Sequence, residues 1–118
     1  MSATEPGTHV VEAQLVLAEG VDPAGVGAAV TVELCGYWEH EGACRWPHNS
    51  AIDAARVPAR LRTLFVADAA ETAVVRDRIE AALRGASAWR VVSIGSRPVA
   101  QAERALAERL RTGPRATP

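Results

Sequence analysis

The sequence predicts a single α+β domain, with a mainly antiparallel sheet of roughly four strands and two helices packed on one of its faces. Three observations lead there. The chain has 118 residues, near the common size of one domain and enough to bury roughly two-thirds of the unfolded surface in one core. Hydrophobic residues make up 48% and charged residues 23%, too apolar for a disordered chain. Period-two apolar stretches occupy the first half and part of the second, whereas helical periodicity is confined to the second half.

The ends, residues 1–8 and 113–118, combine proline, glycine and small polar residues and are expected to fray. From Val10 to Ala18 the pattern alternates, with Val11, Ala13, Leu15 and Leu17 on one side and Glu12 and Gln14 on the other, which predicts a first strand. Asp22-Pro23 reads as a helix start, but Gly25 and Gly27 each cost roughly 1 kcal/mol against alanine in a helix, so a single short turn or short helix is expected. Ala29 to Cys35 alternates again and predicts a second strand, with Val30, Val32 and Leu34 facing one way and Thr31, Glu33 and Cys35 the other.

A polar connector around Asn49-Ser50, with a helical turn over Ala51–Arg56, leads to a third strand from Arg60 to Ala67. Asp68 is the expected cap of a helix whose stripe is Val75, Ile79, Ala82 and Leu83, with Gly85 at its C′ position. Trp89 to Ile94 is a short fourth strand. The last helix begins near Pro98, carries Val99, Ala102, Leu106 and Leu110 on one face, and stops at Gly113-Pro114. This order suggests a ferredoxin-like arrangement with a degenerate first helix. The sheet face left open, bearing Thr31, Glu33, Val16 and Leu64, suggests a homodimer that uses it.

All thirteen positive charges are arginine, a bias expected of a GC-rich bacterial genome. They are interleaved with acids to a net charge near −1, so the long-range field that steers proteins onto phosphate backbones is weak and nucleic acid is not an expected partner. No basic run followed by an apolar stretch opens the chain, and no segment approaches a membrane span. The expected location is the cytoplasm, where thiols stay reduced.

The chemistry concentrates between Cys35 and His48, which hold both cysteines, two of three histidines and two of three tryptophans. Cys35, His40, Cys44 and His48 stand as C-x4-H-x3-C-x3-H. Two thiolates and two imidazoles are the ligand set a tetrahedral zinc ion prefers, although the spacing is not that of the recurrent fingers and knuckles. His40, Cys44 and His48 alone would leave a position open for substrate; adding Cys35 would close the site. Glu41, beside His40, is the candidate general base for metal-assisted hydrolysis. Tyr37, Trp38 and Trp46 offer broad apolar faces to a small, partly planar organic ligand.

Plainer readings stand beside these. Cys35 is equally readable as a small buried hydrophobe, the tryptophans as anchors of a loop on the core, and the histidines and Glu39 and Glu41 as solvated. A Cys35–Cys44 disulfide is a third option, worth roughly 2 to 3 kcal/mol for so short a loop. The alternative to a metalloprotein is a metal-free small-molecule-binding or accessory module with a tryptophan-rich loop. Gly95-Ser96-Arg97-Pro98 would suit an anion at a helix start, with Ser96 as a plain N-cap the simpler explanation. The alternating Arg60 and Arg62 read as a solvent face or as partners for nearby acids. No nucleophile elbow, phosphate-binding loop, dinucleotide fingerprint or zinc-deaminase signature is present.

Overall fold

Strand β1 (Gly7–Leu17) is where the alternating stretch of valine and leucine lies, and it forms the inner seam of the sheet. It pairs antiparallel with β3 (Ala59–Ala67) on one side and with β4 (Trp89–Arg97) on the other, and β2 (His48–Asp53) adds to the outer side of β3, giving the order β2-β3-β1-β4. The architecture comes from a computed structural model, and the residues it describes are 7–35 and 45–113. Helices α1 (Ala24–Cys35) and α2 (Thr72–Arg84) each link two parallel strands that have an antiparallel strand between them. A third helix, α3 (Arg104–Thr112), follows β4 through a single 3-10 turn at Gln101–Glu103.

The α+β class and the antiparallel four-stranded sheet agree with the sequence. The second strand does not: Ala29 to Cys35 is the latter half of α1. A strand there would turn Val30, Val32 and Leu34 to the same side. Only Val30 and Leu34 are buried; Val32 is 46% exposed, and the third buried residue is Val26. The spacing Val26, Val30, Leu34 is one helical face, and its burial outweighs the helix-weakening glycines and β-branched residues. Asp22 assists as the sequence suggested, its Oδ1 accepting the Ala24 amide at 3.0 Å.

The sheet keeps four strands because β2 lies where a connector with a helical turn was expected. His48, Ser50 and Ile52 turn inward and Asn49, Ala51 and Asp53 outward, a period of two in a strand too polar to announce itself. Ser50 Oγ lies 2.8 Å from Thr63 Oγ1 across the ladder, giving the fully buried Thr63 hydroxyl its partner. Helix α2 starts at Thr72, after a turn in which the Asp68 carbonyl accepts the amides of Glu71 and Thr72, so Asp68 opens the turn and not the helix.

The two faces of the sheet are filled separately. Val11, Ala13, Leu15, Leu61 and Phe65 meet Val26, Val30 and Leu34 of α1 and Val75, Ile79 and Leu83 of α2 in the main core. Val10 and Leu64 meet Ala107 of α3, with Val99, Leu106 and Leu110 around them, on the opposite face. The last helix therefore does not share a face with α2. Of the residues expected on an open face for a second copy, Leu64 is 2% exposed beneath α3 and Thr31 and Glu33 are on α1, whereas Val16 on β1 is 37% exposed. In β4, Leu15 pairs with Val91 and Gln14 with Ser93, leaving Val92 as the extra residue of a bulge at the sheet edge.

Candidate functional site

Helix α1 ends at Cys35 and β2 begins at His48, and the packing of this helix on this strand brings the two side chains together. Cys35 Sγ lies 3.9 Å from His48 Nδ1. Thr31, one turn before Cys35, places Oγ1 3.0 Å from His48 Nε2, and the Trp46 carbonyl is 3.1 Å from Nδ1. A carbonyl only accepts, so Nδ1 carries a proton when that bond is made. Thr31 Oγ1 also lies 3.1 Å from the Gly27 carbonyl. When its hydroxyl proton goes to Gly27, Thr31 is an acceptor for Nε2–H; when it goes to His48, Nε2 is the acceptor.

Cys35 is disulfide-bonded. The sequence has one other cysteine, Cys44, and with Tyr37, Trp38, His40 and Glu41 it lies outside the described residues. Of the seven proposed ligand and wall residues other than Glu41, the structure therefore places Cys35, Trp46 and His48. Among the described residues no group of three potential metal ligands comes together.

Trp46 is 4% exposed and part of the main core, which leaves little of its face for a ligand. Arg45 and Arg78 stack over its ring at 4.6 and 5.3 Å, and Arg45 is ion-paired with Glu71 of the turn before α2. This residue fastens the start of β2 to α2, so the backbone carbonyl that orients His48 is held by a buried side chain. Its indole Nε1 is buried without a hydrogen-bond partner among the described residues.

The opposite face carries a polar cluster that the sequence did not assemble. Arg62 donates through Nε and Nη2 to Glu103 at 2.7 and 2.8 Å, through Nη1 to Glu12 at 2.8 Å, and through Nη2 to the Pro98 carbonyl at 3.2 Å. The hydrogen bond from Arg62 holds the Glu103 carboxyl below its ordinary range, and the same bond raises the Arg62 guanidinium. The only advance signal was arginine alternating on a strand; the register that sets Glu12 opposite Arg62 supplies the rest. The anion site suggested at Gly95-Ser96-Arg97-Pro98 does not form at a helix start. Ser96 and Arg97 are in β4, Arg97 Nε approaches Glu12 at 3.4 Å, and α3 begins only at Arg104.

No family model matches the chain, and neither a curated protein nor a solved structure does. No helix among the described residues is long and apolar enough to cross a membrane.

Proposed function

We propose that the corner between α1 and β2 is a thiol-gated metal site: reduced, it holds one zinc ion through Cys35, His40, Cys44 and His48, and the disulfide at Cys35 closes it to metal. One observation carries this reading, the 3.9 Å between Cys35 Sγ and His48 Nδ1. Zinc bonds of roughly 2.3 Å to sulfur and 2.0 Å to nitrogen at a tetrahedral angle set the two atoms about 3.5 Å apart, close to what two separate elements already provide. Thr31 supports it further. Ligating histidines usually donate their second ring N–H to an outer partner, and the Thr31 hydroxyl, with its proton directed to Gly27, is an acceptor for Nε2–H.

A sulfur in a disulfide is not a thiolate, so zinc affinity follows the redox state, and a reducing compartment such as the cytoplasm favours the loaded form. In the enzymatic version Cys35 is not a ligand, Glu41 serves as general base, and Tyr37 and Trp38 border a small planar organic substrate. Elemental analysis of untagged protein tests the reading. After full reduction and removal of the reductant, about one zinc per chain is expected, and the oxidised protein should take up none. Cys44→Ser and His48→Ala should each release the metal, and retention after Cys35→Ser would select the open, three-ligand site. Reduced protein that binds no zinc leaves a metal-free module in which the disulfide only staples the connection before β2.

A further inference from the structure

On the face of the sheet that carries α3, a cleft of about 260 Å3 is lined by Ala51, Ile52, Asp53, Arg60, Arg62 and Glu103. Ala51, directly across the ladder from Arg62, is the smallest residue of its lining. Two of the four charged groups that line it are already satisfied. Arg62 is committed to Glu103, Glu12 and the Pro98 carbonyl, and Glu103 accepts the Ala100 amide as well at 2.8 Å. These contacts hold the walls in place.

Arg60 and Asp53 differ. They are directly opposite each other in the β2–β3 ladder, a placement in which unlike charges normally pair. Asp53 instead turns one oxygen back to the Ala55 amide at 3.1 Å, and Arg60 makes a long ion pair with Glu12, Nη1 to Oε1 at 3.8 Å, too far for a hydrogen bond. A guanidinium with five donors and a carboxylate with a second oxygen therefore face one small cleft from adjacent strands.

We propose that this cleft binds a small zwitterion of the amino-acid class, its carboxylate on Arg60 and its ammonium group on Asp53. The charge balance selects the class. The cluster consists of Arg60, Arg62 and Arg97 against Glu12, Asp53 and Glu103, equal numbers of each sign, so a phosphate or dicarboxylate would bring uncompensated charge while a zwitterion brings none. The volume lies just below the roughly 300 to 1,000 Å3 of ordinary ligand pockets, which limits the ligand to few heavy atoms. The site is on the other side of the sheet from His48 and is independent of the metal reading.

Amide chemical-shift titration of the whole chain with glycine, L-alanine and 4-aminobutyrate, which differ in the separation of their charges, tests this. At least one should shift the amides of Ala51 to Asp53 and Arg60 to Arg62 in a saturable way in the tens of millimolar or below. Acetate and methylammonium, each carrying half of the charge pattern, should be weaker by roughly tenfold or more, as should the best zwitterion with Arg60→Gln or Asp53→Asn. Both residues are at the surface, and a dispersed spectrum reports that each variant is folded; if one is not, the other decides. No saturable shift with any of the three, tighter binding of inorganic phosphate, or undiminished binding by the folded variants would overturn the assignment.

Discussion

Helices α1 and α3 lie on opposite faces of the same sheet, and they are helical for opposite reasons. The first has two glycines, a run of β-branched residues and no ion pair along its length among the described residues, yet Val26, Val30 and Leu34 are almost completely buried. The second has the composition of a helix that could be written from sequence alone, with Arg111 paired to Glu108 one turn earlier, but buries only Ala107. Local preference and tertiary burial are thus separated in space. The helix with the poorest local preference belongs to the core, and the one with the richest touches it least.

The largest effect should come from testing that contrast directly. Leu34→Ala removes a side chain from the main core and should cost about 2 to 5 kcal/mol, while Leu110→Ala, in a partly exposed position on α3, should cost about 1 kcal/mol. Urea denaturation of both variants measures the gap. Equal losses would mean that α3 contributes to the core as much as α1 does, and the contrast would fail.

A smaller effect distinguishes how α3 is fastened. With so little apolar contact, the Arg62 link to Glu103 is a principal tie between the helix region and the sheet, and Arg62→Met takes from Glu103 its guanidinium partner, while Glu12 keeps Arg97 and Arg60 nearby, at a cost of about 1 to 3 kcal/mol. The pH dependence has a definite sign. Glu103 titrates in the folded protein below its ordinary value of 4.5, so its stabilising contribution is complete above that pH and is lost as the pH falls through the folded value. The wild-type advantage over Arg62→Met should therefore be full at pH 7 and shrink on acidification below about 4.5. Denaturation midpoints that stay equally separated at pH 3 and pH 7 would remove Glu103 from the account.

The same separation explains what could be read in advance. The strands β1 and β3 and the helix α2 were legible because their apolar periods match their surroundings: Val11, Ala13 and Leu15 alternate inward, and Val75, Ile79 and Leu83 lie on one helical stripe. The segment Ala29 to Cys35 satisfied both periods over seven residues, and only Val26, outside that window, breaks the tie in favour of helix. Strand β2 was hidden because its inward residues His48 and Ser50 are polar, each held by a hydrogen-bonding partner on α1 or β3 that no local pattern reveals. At the site, the crowding of cysteine and histidine was visible, but Thr31 was not, since its role depends on α1 being a helix. Glu12, Arg62 and Glu103 are far apart in sequence and meet only through strand register and the docking of the α3 region.

The smallest expected effect bears most closely on why α1 is a helix at all. If burial holds it against its own glycines, supplying helix preference should strengthen it without changing the fold. Gly25 is exposed, and a methyl group built there would meet nothing within 4 Å, so Gly25→Ala should stabilise by about 0.4 to 1 kcal/mol. At Gly27 the added carbon would lie 3.5 Å from Ser50 Cβ, an ordinary van der Waals contact, so Gly27→Ala should also gain, though with less freedom to relax against β2. Paired denaturation curves with unchanged far-ultraviolet circular dichroism measure both. A loss at Gly27 alongside a gain at Gly25 would show that the glycine is required for the close approach of α1 to β2, the approach that also sets the distance between Cys35 and His48. A loss at both positions would mean that the segment resists the helix even when its propensity is raised, and that burial of Val26, Val30 and Leu34 does not suffice to explain its conformation.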